Sequence, residues 1–188
     1  GSFAWGPTGA AGPRNGWAIT TFRTSARDMG APAARRPGFD WRRPDHWLAF
    51  GFGAGLVPWA PGTVGTLVAI PLYLLLQGLP PGVYLLVLVG LFLIGLWACD
   101  KTARELGGGD PGAIVWDEIL GYLVTMALAP PGWAWILLGL VLFRFFDILK
   151  PWPIGPLDRR VTGGLGILLD DLVAGAMAWC LLQAVALW

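Results

Sequence analysis

Fifty-four consecutive positions, His46 to Cys99, hold no Asp, Glu, Lys or Arg. A second uncharged run covers the 25 positions 119–143, and a third the last 17, Leu172 to Trp188. Long uncharged and mainly apolar runs mark membrane-spanning segments, since about 20 helical residues cross a hydrocarbon core of about 30 Å. Composition agrees: 55% of the 188 residues are hydrophobic and 13% charged, about half the charge of a typical soluble domain. A soluble globule is excluded, and an integral membrane protein is expected.

The few charges are unevenly placed. Seven of the thirteen basic residues (Arg14, Arg23, Arg27, Arg35, Arg36, Arg42, Arg43) lie in the first 43 positions, against only Asp28 and Asp40. This leader carries +5, which leaves −4 for residues 44–188 of a chain whose net charge is +1. A basic nucleic-acid surface is therefore not expected on the main body. Cys99 and Cys180, both inside apolar runs, make neither a disulfide framework nor a zinc site.

Residues 1–44, rich in Gly, Pro, Ala and Arg without a sustained period, read as a disordered cytosolic leader. Its Gly1-Ser2 start reads as the remnant of a tag, and Met29 offers an alternative start. No compact apolar run follows the first charges, so no secretory signal is expected. Residues 45–188 read as one membrane-embedded domain. Its breaks are PWAPG (58–62), LPPG (79–82), GGGDPG (107–112), APPG (129–132) and KPWPIGP (150–156). Helices are predicted at 46–56, 63–79, 82–105, 112–129, 132–149 and 165–187. At 1.5 Å per residue, helices of 17 to 19 residues are about 26–28 Å long, just enough to cross. The expected fold is an all-α membrane bundle of about six helices, roughly five of them crossing or deeply embedded.

If 63–79 pairs with 82–105 and 112–129 with 132–149 as two hairpins, both uncharged Pro-Pro turns fall on one side of the membrane. The leader and the charged islands at 100–118 and 144–171 then share the other side. Leader and second island hold eleven of the thirteen Arg and Lys residues, so that side is assigned to the cytoplasm. Trp59, Trp97, Trp116 and Trp152 would line the cytosolic interface and Trp133, Trp135 and Trp188 the far one, with Trp179 packed between helices.

Ionisable groups at a bilayer boundary are expensive and point to function. Three acidic clusters stand at helix ends: Asp117-Glu118, Asp147 and Asp170-Asp171. Asp117 and Asp171 each have a glycine four residues on, Gly121 and Gly175. Each glycine lies one helical turn from its carboxylate, which lets the two helices approach with their acids converging. An all-oxygen cluster of this kind suits a hard divalent cation, foremost Mg²⁺. Arg144, Asp147 and Lys150, spaced i, i+3, i+6, line one side of a helix end and read in two ways: as a phosphate site in which Asp147 orients either cation, or as a helix-capping salt-bridge ladder before a proline stop. In PGTVGT (61–66), Thr63 reads as an N-cap before an apolar run, and a helix N-terminus favours anions. The lone His46, read as a packing residue at the interface, provides no two-histidine mechanism. Arg104 comes one position too early after Cys99 for a Cys-x5-Arg phosphatase loop, and no Asp-x-Asp pair is present. Carboxylates with a metal remain.

Four strings, GFGAGLVPWAPGTVGTL (51–67), DPGAIVWDEILG (110–121), LFRFFDILKPWPI (142–154) and GGLGILLDDLVAG (163–175), together resemble the phosphatidylglycerophosphatase A family. They span about 45–188 in the family's order. The resemblance implies a helical, Mg²⁺-dependent enzyme of the bacterial inner membrane. Its substrate is phosphatidylglycerophosphate, its product phosphatidylglycerol, and its site faces the cytosol. The family's acidic pair falls on Asp117 and Glu118, its Arg-Asp-Lys helix end on Arg144, Asp147 and Lys150, and its later pair on Asp170 and Asp171. On this reading Asp117, Glu118, Asp170 and Asp171 hold the metal. Arg144, Lys150, Thr63 and Thr66 receive phosphate, and Asp147 or Asp110 is base or orienter, so the catalytic set is Asp117, Glu118, Asp147 and Asp171. The competing readings are a noncatalytic lipid-binding scaffold and a lipid head-group phosphotransferase.

Overall fold

In the computed structural model, which describes residues 39–108 and 111–188, three helices begin on a proline. They are α1 (Pro44–Ala49), α2 (Pro61–Leu76) and α3 (Pro81–Glu105). Proline's fixed φ and missing N–H suit the first helical position. After them come α4 (Trp116–Thr125), α5 (Trp133–Leu149), α6 (Ile154–Arg160) and α7 (Gly163–Ala186). The described residues form helices and no strand, as expected.

Among the described residues two helices, α3 with 25 residues and α7 with 24, are long and apolar enough to cross a membrane, against the roughly five expected to cross or be deeply embedded. The shorter α2 is apolar too. Only 28% of the apolar span of α3 is buried inside the protein, and Leu75, Leu86, Val141 and Ile148 are largely exposed. Soluble monomers rarely show so much contiguous apolar surface.

The centre of the bundle is α4. Nearly every residue from Trp116 to Thr125 is buried, because α2, α3, α5 and α7 all pack around it. After the acids of its first turn, α4 is apolar on nearly all sides, which suits such a place. Its crossing with α7 is set by two glycines. A Cβ on Gly121 would meet the Asp171 carbonyl oxygen at 2.7 Å, and one on Gly175 would collide with the backbone of Gly121. Small residues at such crossings let backbones touch, the main source of helix association where lipid removes the hydrophobic drive. Carbonyls at the end of α4 and in the turn that follows it are taken by neighbours. Tyr84 Oη donates to Leu123 O at 2.7 Å, and Trp179 Nε1 and Gln183 Nε2 both donate to Ala127 O, at 2.7 and 3.0 Å.

Several expectations need correction. The predicted helix 46–56 is α1 followed by a 3₁₀ segment, Gly51–Leu56, with Phe52 and Gly53 at positive φ. Glycines at 51, 53 and 55 break the α-helix there. The predicted 112–129 shrinks to α4, because apolarity extends past the helix into its connecting turns. The 150–156 break, with a cis Trp152–Pro153 bond, leads into α6, an element the sequence pattern does not predict. Trp116 is not at an interface: it is buried, fits against Gly95, and donates its indole N–H to Leu91 O at 3.1 Å.

Candidate active site

Five helix ends meet at one pole of the bundle: the N-termini of α2, α4 and α7 and the C-termini of α3 and α5. The first turn of α4 carries Asp117 and Glu118, and the third turn of α7 carries Asp170 and Asp171. Carboxylate oxygens of Asp117, Glu118 and Asp171 all lie within 4.8 Å of one another. Asp117 and Asp171 are buried, at 8 and 3% exposure. Asp117 Oδ1, Glu118 Oε2 and Asp171 Oδ2 have no hydrogen-bond partner. At an effective dielectric of 20, two unit charges at this spacing repel by about 3 kcal/mol. Two buried carboxylates and a partly buried third, each with one oxygen that lacks a hydrogen-bond partner, therefore call for positive charge, and their donor set fits a hard divalent cation.

Part of that charge comes from α5. Arg144 Nη1 lies 2.5 Å from Asp147 Oδ2 and 4.0 Å from Glu118 Oε1, and Asp147 also faces Asp171. The start of α2 closes the same space. Gly62 is buried with Glu118 Oε1 and Arg144 Nη1 standing where a side chain would be, so only glycine admits the α2 N-terminus to the cluster. That close approach carries no sequence signal beyond the glycine itself.

Lys150 is turned the other way. Asp147, expected to orient either cation, holds Arg144 alone of the two. Lys150 Nζ donates to Asp170 Oδ2 at 2.6 Å and to Asp158 Oδ1 at 2.9 Å. Burial pulls the pKa of the Lys150 ammonium down, but these two carboxylates outweigh it and hold the value above that of free lysine. Adjacent helical residues point about 100° apart, which sends Asp171 into the cluster and Asp170 to Lys150. Thr63 does not cap α2. The N-cap is Ala60 in the left-handed region, and the N–H groups of Thr63 and Val64 donate to Ala60 O. Thr66 is buried, its hydroxyl donating to Gly62 O at 2.8 Å. Asp110 lies outside the described residues.

A second cluster, without a signal in the sequence, ties α1 to α3. Arg43 binds Asp45 and both oxygens of Glu105, at 2.5 and 2.7 Å for the latter, and Lys101 approaches Asp45 at 3.4 Å. Burial raises the Asp45 pKa, but the Arg43 hydrogen bond and charge bring it below the usual carboxylate value. His46, expected as a packing residue, is buried in this cluster, with Nδ1 accepting the Asp40 N–H at 3.1 Å.

Comparison with known proteins bears on the same segments. The family model for phosphatidylglycerophosphatase A matches residues 47–186. Phosphatidylglycerophosphatase A of Escherichia coli K12 is 48% identical over 136 residues, covering 72% of this chain and 79% of the relative. The Haemophilus influenzae protein of the same name is 43% identical over 147 residues, covering 77 and 90%. No solved structure matches the chain. With a match reaching from α1 to the end of α7, the chain belongs to the phosphatidylglycerophosphatase A family and is thereby an enzyme, a phosphatase.

Proposed function

We propose that this protein hydrolyses the terminal phosphate monoester of phosphatidylglycerophosphate, giving phosphatidylglycerol and phosphate, with Mg²⁺ held by Asp117, Glu118 and Asp171. The observation that carries this reading is the converging trio of carboxylates, each with one oxygen that lacks a hydrogen-bond partner, flanked by Arg144. The names of the two relatives support the substrate.

Bound there, the cation would withdraw charge from the phosphoryl oxygens and make a coordinated water more acidic. The chain's own groups do the rest. Arg144, aligned by Asp147, presents its guanidinium fork to the phosphoryl oxygens, and the positive end of α2 adds to the same field. A water oxygen attacks phosphorus as the bond from phosphorus to the glycerol oxygen breaks. Asp147, between Arg144 and Asp171, takes the proton from that water and passes it to the departing glycerol oxygen. Asp110 stays an accessory candidate for either proton. Asp170 keeps Lys150 charged and in place.

The domain, residues 45–188, lies in the bacterial inner membrane with this pole at the cytosolic face. The exposed apolar faces of α2, α3 and α5 meet lipid, and the shorter helices are partly embedded. In detergent with phosphatidylglycerophosphate, Mg²⁺ should support phosphate release and a chelator should abolish it, with restoration on readdition. Release that is unaffected by exhaustive chelation rejects the metal assignment, and no release with Mg²⁺ present rejects the phosphatase assignment.

A further inference from the structure

Lys150 occupies a place that its backbone alone would give to glycine. It caps α5 with φ 42° and ψ 54°, the left-handed region that penalises a residue with a Cβ and that glycine usually fills at a helix end. What the position gains is the lysine side chain, directed at Asp170 and Asp158. An ammonium has three N–H donors, so two acceptors leave one for a ligand.

Lys150 also stands on a boundary. Beside it in sequence Ile148, Leu149 and Trp152 are 66, 61 and 81% exposed, a surface suited to lipid. On its other side Asp170 adjoins Asp171 and the buried cluster. Arg144 comes six residues earlier, about 9 Å along α5, and is the deeper of the two cations. The proposed substrate carries two phosphates of different kinds joined by a glycerol. Its monoester tip has to reach the buried carboxylates. The phosphodiester, tied to the glyceride, must stay nearer the lipid.

We propose that Lys150 is a specificity-determining residue that binds the phosphodiester of the substrate, leaving the monoester to Arg144, and that Asp158 holds Lys150 until the diester takes its place. This rests on the phosphatase reading above. Asp158 is suited to yield, since its side chain is 39% exposed, whereas that of Asp170 is 7% exposed and stays. Arg159 and Arg160, exposed beside Asp158 on α6, keep the region attractive to an anion. The enzyme would thereby favour lipids with a diester behind the monoester.

The test uses the full chain in detergent, with two inhibitors of phosphatidylglycerophosphate hydrolysis. Phosphatidylglycerol carries only the diester, and inorganic phosphate mimics only the monoester. Lys150→Gln should raise KM and the Ki of phosphatidylglycerol by about tenfold, the scale of one charge-assisted hydrogen bond, and leave the Ki of inorganic phosphate within about twofold. Lys150→Arg should recover most of the loss. Asp158→Asn, which changes an exposed side chain and tests the claim should Lys150→Gln fail to fold, should lower KM. A raised Ki for inorganic phosphate moves Lys150 to the terminal phosphoryl and overturns the proposal. Unchanged constants in Lys150→Gln, a wild type indifferent to phosphatidylglycerol, or an unchanged or raised KM in Asp158→Asn also overturn it. A wild type that releases no phosphate instead rejects the parent function.

Discussion

Asp171 is placed where a charge costs stability. Its carboxylate is buried beside those of Asp117 and Glu118, a repulsion that the proposed metal site would explain. Asp171→Asn should therefore make the metal-free protein more stable, by about 1–3 kcal/mol, the scale of one such repulsion at an effective dielectric of 20. If the cluster holds Mg²⁺ as proposed, a hundredfold excess over Kd stabilises the wild type by about 2.7 kcal/mol, and the same change should remove most of that. Thermal unfolding in detergent, with and without chelator, reads both. A variant that is less stable without metal and equally responsive to Mg²⁺ would contradict this account of the cluster. Asp117, Glu118 and Asp171 are legible in the sequence because acids next to long apolar runs carry a high desolvation cost. The division between Asp170 and Asp171 is not, since it depends on how α7 is rotated against α5. Nor is Asp158 as the partner of Lys150, because the path of the chain between them, which leaves α5 through a left-handed residue, has no periodic signal in the sequence.

Between elements, the decisive contact is the crossing of α4 and α7 at Gly121 and Gly175. Their spacing to Asp117 and Asp171 predicts this crossing, and the structure has it. Gly175→Val should cost about 1–3 kcal/mol, the usual penalty of overpacking, because its side chain meets the Gly121 backbone rather than a movable side chain. Gly90 in α3 has open space where a Cβ would stand, with nothing within 4 Å, so Gly90→Ala should be neutral or stabilising by up to about 1 kcal/mol. Chemical unfolding of both variants checks the contrast, and equal effects would show that the crossing is not a tight contact. Long apolar helices bounded by proline are readable to within a few residues. Misreadings arise where apolarity runs through turns, as around α4, or where glycine breaks a helix, as at 51–55. The seven-residue α6 is too short to show a period and has Pro156 in its first turn, a place proline tolerates.

At the scale of the whole molecule, charge scarcity turns into polarity: the carboxylate cluster, its cations and the α1–α3 ion network gather around helix ends, while the Pro-Pro turns carry no charge. The segregation is visible in the sequence. How many helices fully cross is not, because lengths near the bilayer thickness leave tilt and partial embedding undecided. With the polar pole in the cytosol, a tag after Trp188 should be periplasmic and one within 155–160 cytosolic. Accessibility labelling in intact cells reads this, and both tags on one side would mean that α7 does not cross. Catalysis by the buried carboxylates is tested most directly by phosphate release from phosphatidylglycerophosphate in Mg²⁺, wild type beside Asp117→Asn, both shown to be folded. Wild type should turn over and Asp117→Asn should be slower by at least about a hundredfold; a variant within a few-fold of wild type would mean that the cluster is not the active site.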